Sequence, residues 1–142
     1  MSVTLRPVTR ENWEAVIRLQ VMPEQQGFVA SNLYSVAQSF YEPGTVVLAI
    51  YAGDRIVGLA MYGLIWRLMI DKRHQRRGYG RQALTSLLRS LHALGHSQVY
   101  ISYEPDNAAA AQLYANVGFV LTGTRDAHGE IVACIDLASI EP

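Results

Sequence analysis

A basic turn that contains two glycines stands near the middle of the chain, between an apolar run and a helical pattern. Five of the twelve lysines and arginines fall between Lys72 and Arg81, a stretch that also contains Gly78 and Gly80. A helix start offers backbone N–H groups without intrahelical partners and the positive end of the helix dipole. Glycines let a ligand approach the backbone, and guanidinium groups hold phosphate oxygens in a fork. The turn therefore predicts a site for a diphosphate or polyphosphate.

Spacing excludes two common phosphate-binding sequences. The chain contains no Gly-x-x-x-x-Gly-Lys-Ser/Thr sequence, which is the signature of the P-loop. Around Gly78-Tyr79-Gly80 there is no βαβ unit with a downstream acidic residue, which a dinucleotide fingerprint requires. The turn must therefore belong to another kind of anion site.

The sequence Gln75-Arg76-Arg77-Gly78-Tyr79-Gly80 resembles the Gln/Arg-x-x-Gly-x-Gly/Ala motif of the GCN5-related N-acetyltransferases, the GNAT family. In that family the loop holds the pyrophosphate of acetyl-coenzyme A. A second stretch, Asn107 to Phe119, resembles the family signature Asn-x-x-Ala-x-x-Leu-Tyr-x-x-x-Gly-Phe. Because both motifs occur in the family's order, the chain is identified as a member over essentially its whole length.

The resemblance implies that acetyl-coenzyme A is the cosubstrate and that no metal is needed. Backbone groups of the fourth strand would hold the pantetheine arm, and Tyr114 would be the general acid for the departing thiolate. Asn107 lies seven residues, or two helical turns, before Tyr114, so both can share a helix face; Asn107 could equally be only a helix N-cap. The residues expected to bind the cosubstrate are Leu68, Met69, Ile70, Gln75, Arg76, Arg77, Gly78, Tyr79, Gly80, Arg81, Asn107 and Tyr114.

The general base is left open by the sequence. Many members of the family use a glutamate on the fourth strand, but the run from Ile65 to Ile70 contains no carboxylate. Glu24, Glu104, or a water chain without a dedicated base are the alternatives. Residues that could line the acceptor pocket are Glu24, Tyr34 and Trp66, and the two aromatic side chains could instead pack in the core.

The reaction implied by the resemblance is transfer of an acetyl group to a primary amine of a small molecule. The segment from Gly27 to Ser35 is similar to the bacterial diamine or spermine/spermidine acetyltransferase branch, which makes diamines and polyamines the leading acceptors. Relatives in that branch carry a longer and often acidic segment where this chain has only Gly63-Leu64. The alternatives are acetylation of a protein or peptide amino group, and a coenzyme A-binding sensor that does not catalyse transfer.

The predicted fold class is α/β of the α+β type, with the order β-α-α-β-β-β-α-β-α-β-β. This order matches the GNAT fold, a mixed and mostly antiparallel sheet of about seven strands with helices on both faces. Gly63-Leu64 is predicted to be a two-residue hairpin turn, with a continuous strand from Ile56 to Ile70 as the alternative. Asp126 to Gly129 should turn the last hairpin.

Periodic apolar residues predict the helices. A second helix should begin near Val29, and the helix after the basic turn should end near Gly95. For the second helix, the side chains expected to be buried are Leu33, Val36, Ala37 and Phe40. For the helix after the turn, they are Leu84, Leu87, Leu88, Leu91 and Leu94.

Composition predicts one domain over residues 1–142. Twelve basic and twelve acidic side chains balance, which argues against nucleic acid as a partner. No secretory signal or membrane-spanning run is present, so a membrane partner is not expected. The single Cys134 cannot form an internal disulfide and fits a cytoplasmic location.

Histidines and quaternary structure complete the expectations. His74, His92, His96 and His128 are predicted to lie on the solvated surface and to bind no metal. Family resemblance also suggests a homodimer, in which the apolar last strand, Ile131 to Leu137, would pair or swap across the two chains.

Overall fold

The computed structural model describes residues 2–63 and 66–140, and it confirms the predicted fold class and order of elements. Within those ranges no helix is long and apolar enough to cross a membrane. The chain divides into two compact units, Met1–Ala83 and Leu84–Pro142, and the organisation as one domain stays a prediction. The elements are β1 (Val3–Pro7), α1 (Trp13–Arg18), α2 (Asn32–Tyr41), β2 (Val46–Ala52), β3 (Arg55–Tyr62), β4 (Arg67–Ile70), α3 (Tyr79–Ala93), β5 (Gln98–Tyr103), α4 (Ala108–Val117), β6 (Val120–Arg125) and β7 (Ile131–Asp136).

The first unit contains an antiparallel sheet of four strands in the order β1-β2-β3-β4. Apolar residues of α1, α2 and the sheet form a common core, because each element turns its hydrophobic stripe to the same side. One short turn of 3-10 helix, Pro23–Gln25, interrupts the connection between α1 and α2. The buried members of this core are Val16, Leu19, Val36, Ala49, Leu59, Met61 and Met69.

The connection between β3 and β4 differs from the predicted two-residue turn. Met61 lies opposite Arg67, so residues 62–66 separate the last paired positions of the two strands. The alternative of one continuous strand is also wrong, because β3 and β4 pair with each other in antiparallel orientation. Gly63 has the predicted positive φ, 107°. Leu64 and Ile65, on which part of the prediction falls, lie outside the described residues.

The second helix begins later than predicted and turns a different face to the core. Ser31 caps it by accepting a hydrogen bond from the Tyr34 N–H at 3.1 Å, so α2 starts at Asn32. Asn32 and Ser35 are buried, whereas Leu33 and Phe40 are 57% and 81% exposed. Ala37 is exposed as well, and Val36 is the one predicted side chain that is buried. The polar pair sets the helix rotation because buried polar groups must keep their hydrogen bonds.

The second unit contains a three-stranded antiparallel sheet in the order β5-β7-β6. The last strand, β7, is central and has a neighbour on each side. It has no free edge at which a second chain could pair, so the expected pairing is wrong. A swap of this strand between chains, and a homodimer, stay predictions. On α3, Leu84, Leu87, Leu88 and Leu91 are buried as predicted. Leu94 is 71% exposed because the helix already ends at Ala93.

Gly58 on β3 allows β4 to lie close beside it. A Cβ built on Gly58 would overlap the Met69 carbonyl oxygen, a backbone atom that cannot move without shifting β4. We expect Gly58→Ala to lower the free energy of unfolding by about 2 kcal/mol, because overpacking forces the backbone to shift. Urea denaturation measures this effect.

Gly27→Ala is the matched control, because nothing lies within 4 Å of a Cβ at Gly27. Its free energy of unfolding should stay within about 0.5 kcal/mol of that of the wild type. Equal stability of the two variants would contradict the proposed close approach of β3 and β4.

Candidate functional site

The segment between β4 and α3, residues 71–78, is called the anion loop below. Two of its residues adopt the left-handed backbone conformation, Arg76 with φ 62° and Gly78 with φ 81°. A Cβ added at Gly78 would have the Gln82 amide nitrogen as its nearest neighbour, at 3.8 Å, so glycine is required by conformation and not by space. The Gln82 N–H donates to the Gly78 carbonyl at 3.1 Å. The N–H groups of the first turn of α3 precede this bond, as an anion site requires.

Exposed cationic side chains surround this turn. Arg76, Arg77 and Arg81 are all exposed, and Tyr79 and Gly80 are half-buried at the start of α3. Alternating right- and left-handed backbone conformations direct successive N–H groups toward one concavity, a common arrangement for phosphate. The predicted loop residues are thus brought together in a form that fits a pyrophosphate.

Asp71 is a buried carboxylate at the start of the anion loop that sequence reasoning missed. Its side chain is 2% exposed. One carboxylate oxygen accepts the Gln20 N–H at 2.9 Å, and the other accepts the Arg73 N–H at 3.1 Å and the Arg73 Nε–H at 2.9 Å. Burial opposes ionisation, but these hydrogen bonds and the Arg73 charge outweigh it, so the pKa of Asp71 lies below its ordinary value.

His74 is buried, so the prediction of a solvated surface is wrong for this histidine. The side chain is 8% exposed, and its backbone N–H donates to the Asp71 carbonyl at 2.8 Å. Burial lowers the pKa of His74; Asp71 opposes this shift, while nearby arginines add to it. His74 is therefore neutral at neutral pH. His92, His96 and His128 are exposed, as predicted.

Strand β4 is an edge strand of its sheet, so its outer backbone groups can bond an extended amide-bearing chain. Leu68 and Ile70 are half-buried, and Met69 is buried with its sulfur 3.5 Å from the Asn32 amide nitrogen. Such an edge fits the expected pantetheine contacts.

Arg67, at the first position of β4, was also missed. It donates to Gln38 Oε1 at 2.6 Å and to Ser35 Oγ at 3.2 Å, and its guanidinium lies 5.5 Å from the Tyr34 ring centroid. Burial lowers the pKa of Arg67, although the guanidinium stays charged at neutral pH. Arg67 therefore fixes α2 against β4.

A cleft of about 290 Å³ opens beside β4, between α1, α2 and the connection that joins them. None of its described lining residues carries a charge. Glu24, Tyr34 and Trp66 are not among them, so their acceptor-binding role stays a prediction. Glu24 and Tyr34 are exposed, and Trp66 is half-buried. The lining residues are Ile17, Leu19, Gln20, Val21, Gln26, Val29, Ala30, Ser31, Asn32 and Met69.

In the second unit, Asn107 and Tyr114 lie on α4. Asn107 Oδ1 accepts the Ala110 N–H at 3.1 Å, so Asn107 is an N-cap, and a contact with the cosubstrate stays a prediction. Tyr114 is 7% exposed. Its ring centroid is 5.6 Å from those of Tyr103 and Phe119, so an aromatic cluster holds the ring in place.

In the part of the chain that the structure describes, no group of three or more His, Cys, Asp or Glu side chains could hold a metal ion.

Comparison with known proteins identifies the family. Residues 13–119 match the model of the acetyltransferase (GNAT) family. The spermine/spermidine N(1)-acetyltransferase of Bacillus subtilis strain 168 is 31% identical over an alignment of 156 positions, which covers 96% of this chain and 100% of the relative.

Solved structures share the fold at lower identity. A spermidine N-acetyltransferase from Vibrio cholerae, crystallised with CoA and spermine, has a TM-score of 0.76 at 18% identity, with 98% of each chain covered. The ribosomal-protein-S18-alanine N-acetyltransferase of Escherichia coli has a TM-score of 0.70 at 17% identity, with 95% of this chain and 94% of that chain covered.

These findings define an acetyltransferase fold. The chain belongs to the GNAT family. It is an N-acetyltransferase that uses acetyl-coenzyme A, which disfavours the alternative of a non-catalytic sensor.

The lowered pKa of Asp71 predicts a pH-dependent contribution to stability. We expect Asp71→Asn to lower the free energy of unfolding by about 2 kcal/mol at neutral pH, since an amide NH₂ cannot accept the bonds from Arg73. A carboxylate with a depressed folded pKa stabilises above its ordinary pKa of about 3.9, and that contribution disappears as pH falls through the folded pKa. Urea unfolding over this pH range measures it.

The exposed Asp54, in the turn between β2 and β3, supplies the control. Asp54→Asn should show no comparable loss at neutral pH. A difference between wild type and Asp71→Asn that persists below the folded pKa would contradict the assigned cause.

Proposed function

We propose that this enzyme acetylates a primary amine of a small diamine or polyamine. The observation that carries the proposal is the alignment with the Bacillus subtilis spermine/spermidine N(1)-acetyltransferase over 96% of this chain and 100% of the relative. The anion loop follows the edge strand β4 directly, and the cleft lies next to the same strand; this arrangement supports the same reaction. The cleft lies beside β4, which is where an acceptor must enter to meet a thioester bound along that strand.

The chain's own residues supply binding and proton transfer. Acetyl-coenzyme A, when bound, supplies the activated acetyl thioester. Gly78 and the first turn of α3 would bind the pyrophosphate through backbone N–H groups, with Arg76, Arg77 and Arg81 adding forked hydrogen bonds. The edge of β4 would align the pantetheine arm and polarise the thioester carbonyl.

Proton transfers complete the reaction. As the C–S bond breaks, the Tyr114 phenol would give its proton to the departing thiolate. The phenol would then regain a proton from the nitrogen, which carries one in excess after the attack. The amine must lose a proton before it attacks, and β4 contains no carboxylate to accept it. Water, Glu24 or Glu104 remain the proposed acceptors for that proton.

A second candidate acceptor class follows from the uncharged cleft. Ammonium groups of a polyamine would find no ion-pair partner among the ten described lining residues. An amine with one amino group and an apolar body, including a peptide N-terminus, would bury its body against Ile17, Val21 and Val29 at a gain of about 25 cal/mol per Å².

A thiol-release assay with acetyl-coenzyme A separates the two acceptor classes. The panel contains putrescine, spermidine, spermine, monoamines of increasing alkyl length and short peptides. We expect saturable turnover with at least one diamine or polyamine at a KM below about 1 mM. Turnover confined to apolar monoamines or peptides would replace the polyamine proposal with the second class. Binding of coenzyme A without turnover on any amine would contradict both.

The proposed acid is tested by Tyr114→Phe. The ring contacts with Tyr103 and Phe119 remain, so coenzyme A affinity should change little. The kcat should fall about 100-fold, because a positioned acid contributes 10²–10⁴-fold. Initial rates with the best amine of the panel measure it.

Tyr103→Phe is the matched control, because Tyr103 belongs to the same buried aromatic cluster and has no proposed chemical role. It should retain most of the wild-type kcat. A Tyr114→Phe variant as active as the control would remove the assignment of Tyr114.

A further inference from the structure

Hydrogen bonds tie the anion loop to one wall of the cleft, across about fifty positions of sequence. The connected wall is residues 19–31, called the cleft segment below, which supplies seven of the cleft's lining residues. The Gln75 Nε2 donates to Gln25 Oε1 at 2.8 Å, and Asp71 Oδ1 accepts the Gln20 N–H at 2.9 Å. The Lys72 N–H also donates to the Gln20 carbonyl at 2.7 Å.

The orientation of the two glutamine amides is fixed by their other partners. The Ile70 carbonyl can only accept, and it lies 2.9 Å from Gln75 Nε2, so this atom is the amide nitrogen. The Met22 N–H can only donate, and it lies 3.0 Å from Gln25 Oε1, so this atom is the oxygen. The direction of the bond from Gln75 to Gln25 is therefore determined.

The two N–H groups of the Gln75 amide nitrogen are both used by these contacts, one by the Ile70 carbonyl and one by Gln25. This nitrogen can donate to a phosphate only if one of those bonds breaks. Gln75 is half-buried, in contrast to the exposed Arg76 and Arg77 that follow it. Its position therefore fits a residue that stabilises the loop by hydrogen bonds better than one that contacts the cosubstrate directly.

We propose that Gln75 is a positioning residue which couples the anion loop to the cleft segment through Gln25, so that coenzyme binding orders the acceptor cleft. This inference rests on the proposed function of the two regions. A ligand that fixes the anion loop also fixes the Gln75 amide, and through it the turn at Pro23–Gln25. By thermodynamic reciprocity, an amine in the cleft strengthens coenzyme binding by the same factor.

A charge-matched pair of variants isolates the hydrogen bond from electrostatics. Gln75→Glu and Gln25→Glu each place one negative charge at nearly the same point, because the two amides are 2.8 Å apart. A carboxylate at position 25 still accepts from Met22 and Gln75. A carboxylate at position 75 meets two acceptors, the Ile70 carbonyl and Gln25. Coenzyme A affinity, measured by calorimetry, should fall about tenfold further in Gln75→Glu than in Gln25→Glu.

A second pair of variants tests the role of Gln25, the residue on the cleft segment that accepts the hydrogen bond from Gln75. Gln25→Met removes the oxygen that accepts the hydrogen bond from Gln75. Gln26→Met changes the next residue, which lines the cleft but forms no bond to Gln75. Gln25→Met should weaken coenzyme A binding about threefold to tenfold. Gln26→Met should leave coenzyme A affinity unchanged and alter only the KM of the amine.

Hydrogen exchange reports whether the coupling reaches the cleft segment. Coenzyme A should slow amide exchange over residues 20–28 of the wild type about fivefold, and this protection should be lost in Gln25→Met. A purely structural role for Gln25 would weaken the fold without removing the ligand-dependent change.

Equal coenzyme A affinities in Gln75→Glu and Gln25→Glu, together with unchanged protection in Gln25→Met, would overturn the inference alone. A wild-type chain that binds no coenzyme A would overturn the inference and the proposed function together. The two failures are therefore distinguishable.

Discussion

The buried carboxylate of Asp71 is the interaction on which the organisation of the first unit depends. Removing a charge from water costs several kcal/mol unless the charge is fully hydrogen-bonded. Here the compensation comes from the Gln20 N–H and from the backbone and side chain of Arg73. Gln20 lies on the cleft segment and Arg73 on the anion loop, so the Asp71 carboxylate bonds to both regions. These bonds fix the position of the cleft segment relative to the anion loop.

Charge is distributed unevenly between the anion loop and the cleft of this unit. The anion loop carries exposed arginines, whereas the cleft beside β4 is lined by uncharged side chains. Under the proposed function, electrostatic attraction would favour the coenzyme at the loop, and an acceptor in the cleft would be held by shape, apolar contact and a few amides. An amine that binds next to Met69 is also easier to deprotonate there than in water, because a low-dielectric wall disfavours the ammonium form.

Sequence reasoning succeeded where the determinants are local. The positive φ of Gly63 and the Asn107 cap each depend on residues a few positions apart. It failed where short polar side chains bond across the fold. Asn32 donates to the Val16 carbonyl from the buried face of α2, and an apolar pattern could not reveal that rotation. The roles of Asp71 and Gln75 likewise depend on partners about fifty residues away.

The left-handed conformation of Arg76 connects these long-range bonds to the expected chemistry. A non-glycine residue in this region costs about 1 kcal/mol or more, so the surrounding structure must hold it. Asp71 fixes the loop through its bonds to Arg73. Gln75, the residue immediately before Arg76, fixes it through a hydrogen bond to the Ile70 carbonyl. A loop held this way loses less conformational entropy when it binds an anion than a loop without these bonds would lose. The strained backbone at Arg76 is thus supported by the same polar bonds that connect the anion loop to the cleft segment.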